Sequence, residues 1–252
     1  MLQMINTILI SILGMTLASF FVLIGYRIPK TLNINGRSQC DHCEKVIPWY
    51  GLIPILGYFI LRGKCRYCKA TISVMYPLVE FLGGLLFALS YLYLQDNVVE
   101  YVIAMVFFSL MIIVSVSDVK YQVVPDKILL FFLPVVLVLR MVFPLTTWYF
   151  SLLGGLAGFG FMWFMAWYGR YRFKREALGG GDIKLYFLIG LFLELSLVFV
   201  SLFFASLLGL VFGKLVMKKV NPIPFVPFIF AGVLLAYYIG PALMEWYVGL
   251  FN

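Results

Sequence analysis

The residues able to do chemistry are few and fall into two groups. One is a pair of aspartates, Asp118 and Asp182, each at the edge of a long apolar run. The other is a set of four cysteines, in Cys40-Asp-His-Cys43 and Cys65-Arg-Tyr-Cys68. Carboxylates at a membrane boundary are costly and default to functional candidates. Two that share a site cannot both ionise easily, so one keeps its proton. The ionised member can then take a proton from water while the protonated member donates to a scissile carbonyl. No Ser-His or Cys-His pair competes, because the only histidine, His42, lies inside the cysteine segment. Taken singly, each aspartate has a plainer reading: Asp182 as a helix N-cap, Asp118 as the partner of Lys120 or Lys127. The glycines of Gly179-Gly180-Gly181-Asp182 are expected to let the backbone turn tightly and a substrate strand approach closely.

The cysteines form two CxxC pairs separated by 21 residues. Each pair can grip a metal with two thiolates, and together they make a closed tetrahedral site of the kind zinc fills. Such a site has no open position, so its metal folds the segment and does not catalyse. Four reduced cysteines without metal are the alternative. His42 is redundant beside four thiolates and reads as an exposed loop residue. The segment 27–75 that carries the cluster is too short for a large core and needs a staple or a metal.

Long apolar segments must position these groups. Of 252 residues, 63% are hydrophobic and 12% charged, against about 25% charged in soluble domains. Apolar runs recur at about 4–26, 76–94, 99–117, 127–143, 148–169, 183–194, 196–217 and 224–250. Each approaches the length that spans a bilayer as helix, which predicts an all-α polytopic membrane protein with about eight transmembrane helices. The sixth run is short and its division from the seventh near Glu194 is uncertain, so seven is the alternative count. The first run is too long for a signal-peptide core and no basic residue precedes it.

Charge sets the orientation. With the N-terminus outside, one side receives 27–75, 118–126, 170–182 and 218–223. All of the 19 basic residues except Arg140 fall in or beside these segments, including Arg170, Arg172, Lys174, Arg175, Lys214, Lys218 and Lys219. The positive-inside rule makes that side cytoplasmic. Both aspartates then lie at the cytoplasmic boundary, with the cysteine loop. Asp96, Glu100, Glu194 and Glu245 fall on the outer side. The net charge of +8 is therefore a topology signal, and no nucleic-acid partner is expected.

Gly179-Gly180-Gly181-Asp182 matches the GxGD motif of membrane aspartyl proteases. Together with the cysteine loop, the Asp118 segment ending in Pro125-Asp126, and Gly181-Asp-Ile-Lys-Leu185, it resembles the bacterial type IV prepilin peptidases. Leu61-Arg-Gly-Lys-Cys-Arg-Tyr-Cys68, Tyr76-Pro-Leu-Val-Glu80 and Ile223-Pro-Phe-Val-Pro-Phe228 are similar to further stretches of that family, in family order. Presenilin-like proteases share only GxGD and leave the cysteine loop unexplained.

The resemblance implies that Asp118 and Asp182 are the protease pair, with Asp126 in support, and that the substrate is a prepilin or pseudopilin helix. Its basic leader is cut on the cytoplasmic side of the bacterial inner membrane. Many members then methylate the new N-terminus with S-adenosylmethionine. No glycine-rich dinucleotide-type fingerprint is present, so that site would be built from the loop and span ends. Glu80 is a candidate for positioning the amine, or equally a structural hydrogen-bonder. Residues 1–26 are read as the first span, 27–75 as the zinc loop with any methyltransferase part, and 76–252 as the peptidase core. Asp41, Glu44 and Glu176 would offset the basic face towards a basic leader. The competing reading is a zinc-stabilised transport or scaffold protein with ion-binding aspartates, but no polar path crosses the spans.

Overall fold

A computed structural model describes residues 2–174, 178–216 and 223–250. Arg175, Glu176, Lys218 and Lys219 lie outside the described residues, as does the side chain of Lys214. The described residues are helical apart from turns, loops and two isolated β-bridges.

The helices are α1 (Leu2–Arg27), α2 (Leu56–Ile60), α3 (Met75–Leu94), α4 (Val98–Tyr121), α5 (Asp126–Val142), α6 (Trp148–Phe173), α7 (Gly180–Val216), α8 (Val226–Tyr238) and α9 (Gly240–Gly249). A short 3-10 turn spans Trp49–Leu52. By length and composition, α1, α3, α4, α6 and α7 can each cross a membrane. The α8–α9 pair, bent by 57°, qualifies as one more. The protein is thus an all-helical, multi-pass membrane protein. The other two of the eight expected segments are α5, at 17 residues, and one arm of α7. Lipid explains the faces that water could not: Leu9, Leu13, Phe20, Leu130, Phe131, Trp163, Trp167 and Phe203 are all exposed.

Two compact units divide the chain within α4, between Ile113 and Val114. In the first, α1 packs along α3, and Gly14, Ala18, Val22 and Gly25 form the buried seam of α1. Small residues at this spacing let two apolar helices approach closely where no hydrophobic effect drives them together.

In the second unit, α7 is the central element and packs against α5, α6 and α8. Its α6 contact is backbone on backbone. A Cβ on Gly154 would collide with the Gly190 carbonyl, and a Cβ on Gly190 with the Gly154 carbonyl. The expected division near Glu194 is a sharp break: φ 65° and ψ 176° separate two helical arms of α7, and Gly158 meets both the Tyr186 carbonyl and the Val198 side chain, so the arms fold back beside each other. Glu194 forms the turn between the arms. It is buried, and its carboxylate accepts the Thr146 amide at 3.0 Å, the Thr146 hydroxyl at 2.6 Å and the Ser151 hydroxyl at 3.4 Å. Arg140 is likewise fully buried, its guanidinium 4.7 Å from the Phe192 ring centroid.

Candidate active site and metal centre

Asp118 sits in the last turn of α4 and is buried. Several local contacts end the helix just beyond it. Gln122 takes a left-handed φ of 55°, its amide donates to the Asp118 carbonyl at 2.8 Å, and the Ser117 hydroxyl donates to the Val123 carbonyl at 2.6 Å. Pro125 then precedes α5. The carboxylate Oδ2 accepts the Val226 amide at 2.9 Å, at the start of α8.

Asp182 lies half-buried in the first turn of α7, its amide donating to the Gly179 carbonyl at 3.2 Å. The N-terminal end of a helix favours a carboxylate there. Asp118 and Asp182 line one cavity of about 210 Å³, with Gln122, Val123, Val124 and the three glycines as its remaining walls. The glycines act by space and not by left-handed turning, because none of the three has a positive φ. A Cβ on Gly181 would meet Val124 Cβ at 2.6 Å, whereas Gly180 faces open space.

Asp126 opens α5, one residue after its N-cap Pro125. It forms an exposed ion pair with Lys184, at 2.8 and 2.9 Å to its two oxygens. The pair ties the start of α5 to the start of α7 beside the cavity. The Val226 donor was not identifiable by residue type, since a backbone amide leaves no mark in a sequence.

The four cysteines converge. Their sulfurs all lie within 4.8 Å of one another, with Cys40–Cys68 at 3.7 Å and Cys43–Cys65 at 3.9 Å. Tetrahedral zinc with bonds of ~2.3 Å sets its sulfurs about 3.8 Å apart, so the tetrad fits that ion. The two CxxC turns share one construction. Cys40 and Cys65 each donate their amide to the carbonyl five residues on, at Lys45 and Ala70. Glu44 and Lys69 each return an amide to the first cysteine of their pair and take left-handed φ values of 56° and 60°. Bridges Gln39–Val46 and Lys64–Thr71 close the two turns. His42 is exposed and outside the cluster.

The thiols are poised for a cation. The Cys68 and Tyr67 amides draw Cys65 down to about 6. Cys68 has the Ala70 amide pulling it down, yet desolvation and the neighbouring thiols push it up to about 11. Four thiolates cannot gather without a compensating charge, which a divalent metal supplies. Glu80, buried in α3, accepts the Ile55 amide through Oε2 at 2.7 Å. It is thus engaged with the loop backbone, as the structural alternative for this residue expected.

Residues 12–94 match the family described as Bacterial Peptidase A24 N-terminal domain, and residues 105–214 match the Type IV leader peptidase family. A prepilin leader peptidase/N-methyltransferase of Bacillus subtilis (strain 168) is 38% identical over 243 residues, covering 94% of this chain and 96% of that protein. The chain belongs to the type IV leader peptidase family. Its N-terminal match contains the cysteine tetrad and Glu80, and its second match contains both aspartates. A protein of the same name from Myxococcus xanthus is 36% identical over 82% of this chain and 62% of the relative. Another, from Vibrio cholerae serotype O1, is 29% identical over 78% of this chain and 81% of the relative. No solved structure matches. The family member described here is an aspartic peptidase of a bacterial membrane.

Proposed function

We propose that this enzyme removes the basic leader from a prepilin or pseudopilin at the cytoplasmic membrane boundary, with Asp118 and Asp182 as its acid–base pair. The observation that carries the proposal is their convergence on one cavity from different helices. Water in that cavity loses a proton to the ionised carboxylate and attacks the scissile carbonyl. The other carboxylate donates its proton to the carbonyl oxygen. Collapse of the tetrahedral intermediate breaks the C–N bond, and a proton passes to the leaving amine. The Val226 amide holds Asp118 in position. The open wall at Gly180 leaves room for an extended substrate backbone.

Cys40, Cys43, Cys65 and Cys68 would hold a structural zinc, which organises the loop and takes no part in hydrolysis. The relatives' names add methylation of the new N-terminus. S-adenosylmethionine would supply the methyl group.

The test is incubation of the purified full chain with a candidate prepilin, with and without S-adenosylmethionine, read by mass. Leader loss should occur in both cases, and a methyl group should be added only with the cofactor. Asp118→Asn and Asp182→Asn should each lower cleavage on the order of 10³-fold or more. Cleavage persisting in both variants would sink the assignment.

A further inference from the structure

The segment between the two cysteine pairs carries features that neither zinc binding nor proteolysis uses. Trp49 and Phe59 are 75% and 67% exposed, and Leu52, Leu56 and Ile60 beside them are exposed as well. They lie on the 3-10 turn and α2, only a few residues before the second CxxC pair. Immediately after this apolar ridge, Arg62, Lys64, Arg66 and Lys69 line a cavity of about 520 Å³ that also touches Cys65 of the tetrad and whose lining contains no carboxylate. Tyr50 forms part of the same wall, where its hydroxyl receives a hydrogen bond from the Arg66 guanidinium and its ring lies 5.8 Å from it. Left-handed φ values at Arg62, Gly63 and Lys69 turn the chain around the cavity.

The depth of this ridge is fixed by Glu80. Five residues into α3, or about 7–8 Å along the helix axis, its carboxylate holds the Ile55 amide. Ile55 takes φ 61°, a conformation that β-branched residues rarely adopt. The bond therefore pins the ridge beside the opening turns of a membrane-spanning helix instead of releasing it to water.

Exposed Trp, Phe and Leu next to clustered Lys and Arg is the composition of elements that lie in a bilayer interface. The positive-inside rule explains why cations are on this side. It does not explain why four converge on one cavity beside an apolar ridge. We infer that the segment 49–69 docks into the cytoplasmic leaflet and that its cationic cavity takes the phosphate headgroup of an anionic phospholipid. The inference does not depend on the peptidase chemistry.

The test uses the full chain in nanodiscs of phosphatidylcholine or of an equimolar mixture with phosphatidylglycerol. Native mass spectrometry should show phosphatidylglycerol retained in preference to phosphatidylcholine. Each of Arg62→Gln, Lys64→Gln, Arg66→Gln and Lys69→Gln should lower that preference about fivefold. In a chain whose only tryptophan is Trp49, carrying Trp148→Phe, Trp163→Phe, Trp167→Phe and Trp246→Phe, brominated lipid should quench the emission, and unquenched emission would overturn the inference. Equal retention of the two lipids, or an unchanged preference in all four variants, would overturn the inference. So would displacement of the lipid by inorganic phosphate, since the cavity would then take a soluble anion. Leader cleavage measured on the same preparations keeps failure here distinct from failure of the peptidase reading.

Discussion

Asp118 and Gly181 show how little room the cavity leaves for error. Asp118 is held by one backbone amide from α8, while Gly181 lets α7 lie against Val124. Gly181→Ala would put a Cβ 2.6 Å from Val124 Cβ. One of the two segments must then move, and each carries one wall of the cavity. A displacement of about 1 Å can cost on the order of 10²-fold in rate. Gly181→Ala should therefore lower the turnover of leader cleavage by about that factor while the solubilised protein keeps its thermal transition. Gly180→Ala, facing open space, should retain activity on short leader peptides. Equal losses in the two variants would mean that the glycines matter for something other than this contact.

At the scale of the element, α7 holds the second unit together through features that are poor in residue-type signal. Glu194 in an apolar run reads as an outer turn, because a lone carboxylate in a hydrophobic stretch usually ends a span. The chain does turn there between the two arms of α7, but the turn is buried, because Thr146 and Ser151 satisfy the carboxylate from the α6 side. Such partners lie far away in sequence, so periodicity could not reveal them. Other features were legible: the apolar runs gave the ends of α1, α3 and α6 to within a few residues, and the CxxC spacing gave the tetrad. The Val226 contact was not, because it is made by backbone. Glu194→Gln keeps the shape and removes the charge-assisted acceptor, so it should lower stability by about 1–3 kcal/mol, read as a lower melting temperature in detergent. Gly190→Ala should cost about 1–3 kcal/mol by forcing two backbones apart, or more if α6 cannot shift. An unchanged melting temperature in either variant would contradict the packing described.

Across the whole molecule, sidedness and metal binding can be tested together. By the positive-inside rule the basic residues predict a cytoplasmic loop 27–75, and the four sulfurs converge only because two similar turns face each other. The loop has no sizeable core, since Cys65 and Gly57 are its only fully buried residues between 28 and 74. Its order should then depend on the metal. Purified protein should carry about one zinc per chain, and Cys40→Ser or Cys68→Ser should lose it. In inverted membrane vesicles, a strong chelator should make the loop sensitive to trypsin, with cuts near Lys45, Arg62 and Lys64. In sealed right-side-out spheroplasts the same protease should leave it intact with or without chelator. Cleavage from the outside would reverse the orientation, whereas resistance of the chelated loop in inverted vesicles would show that the tetrad does not hold it together. The two results fail separately, so a wrong topology could not be mistaken for a missing metal.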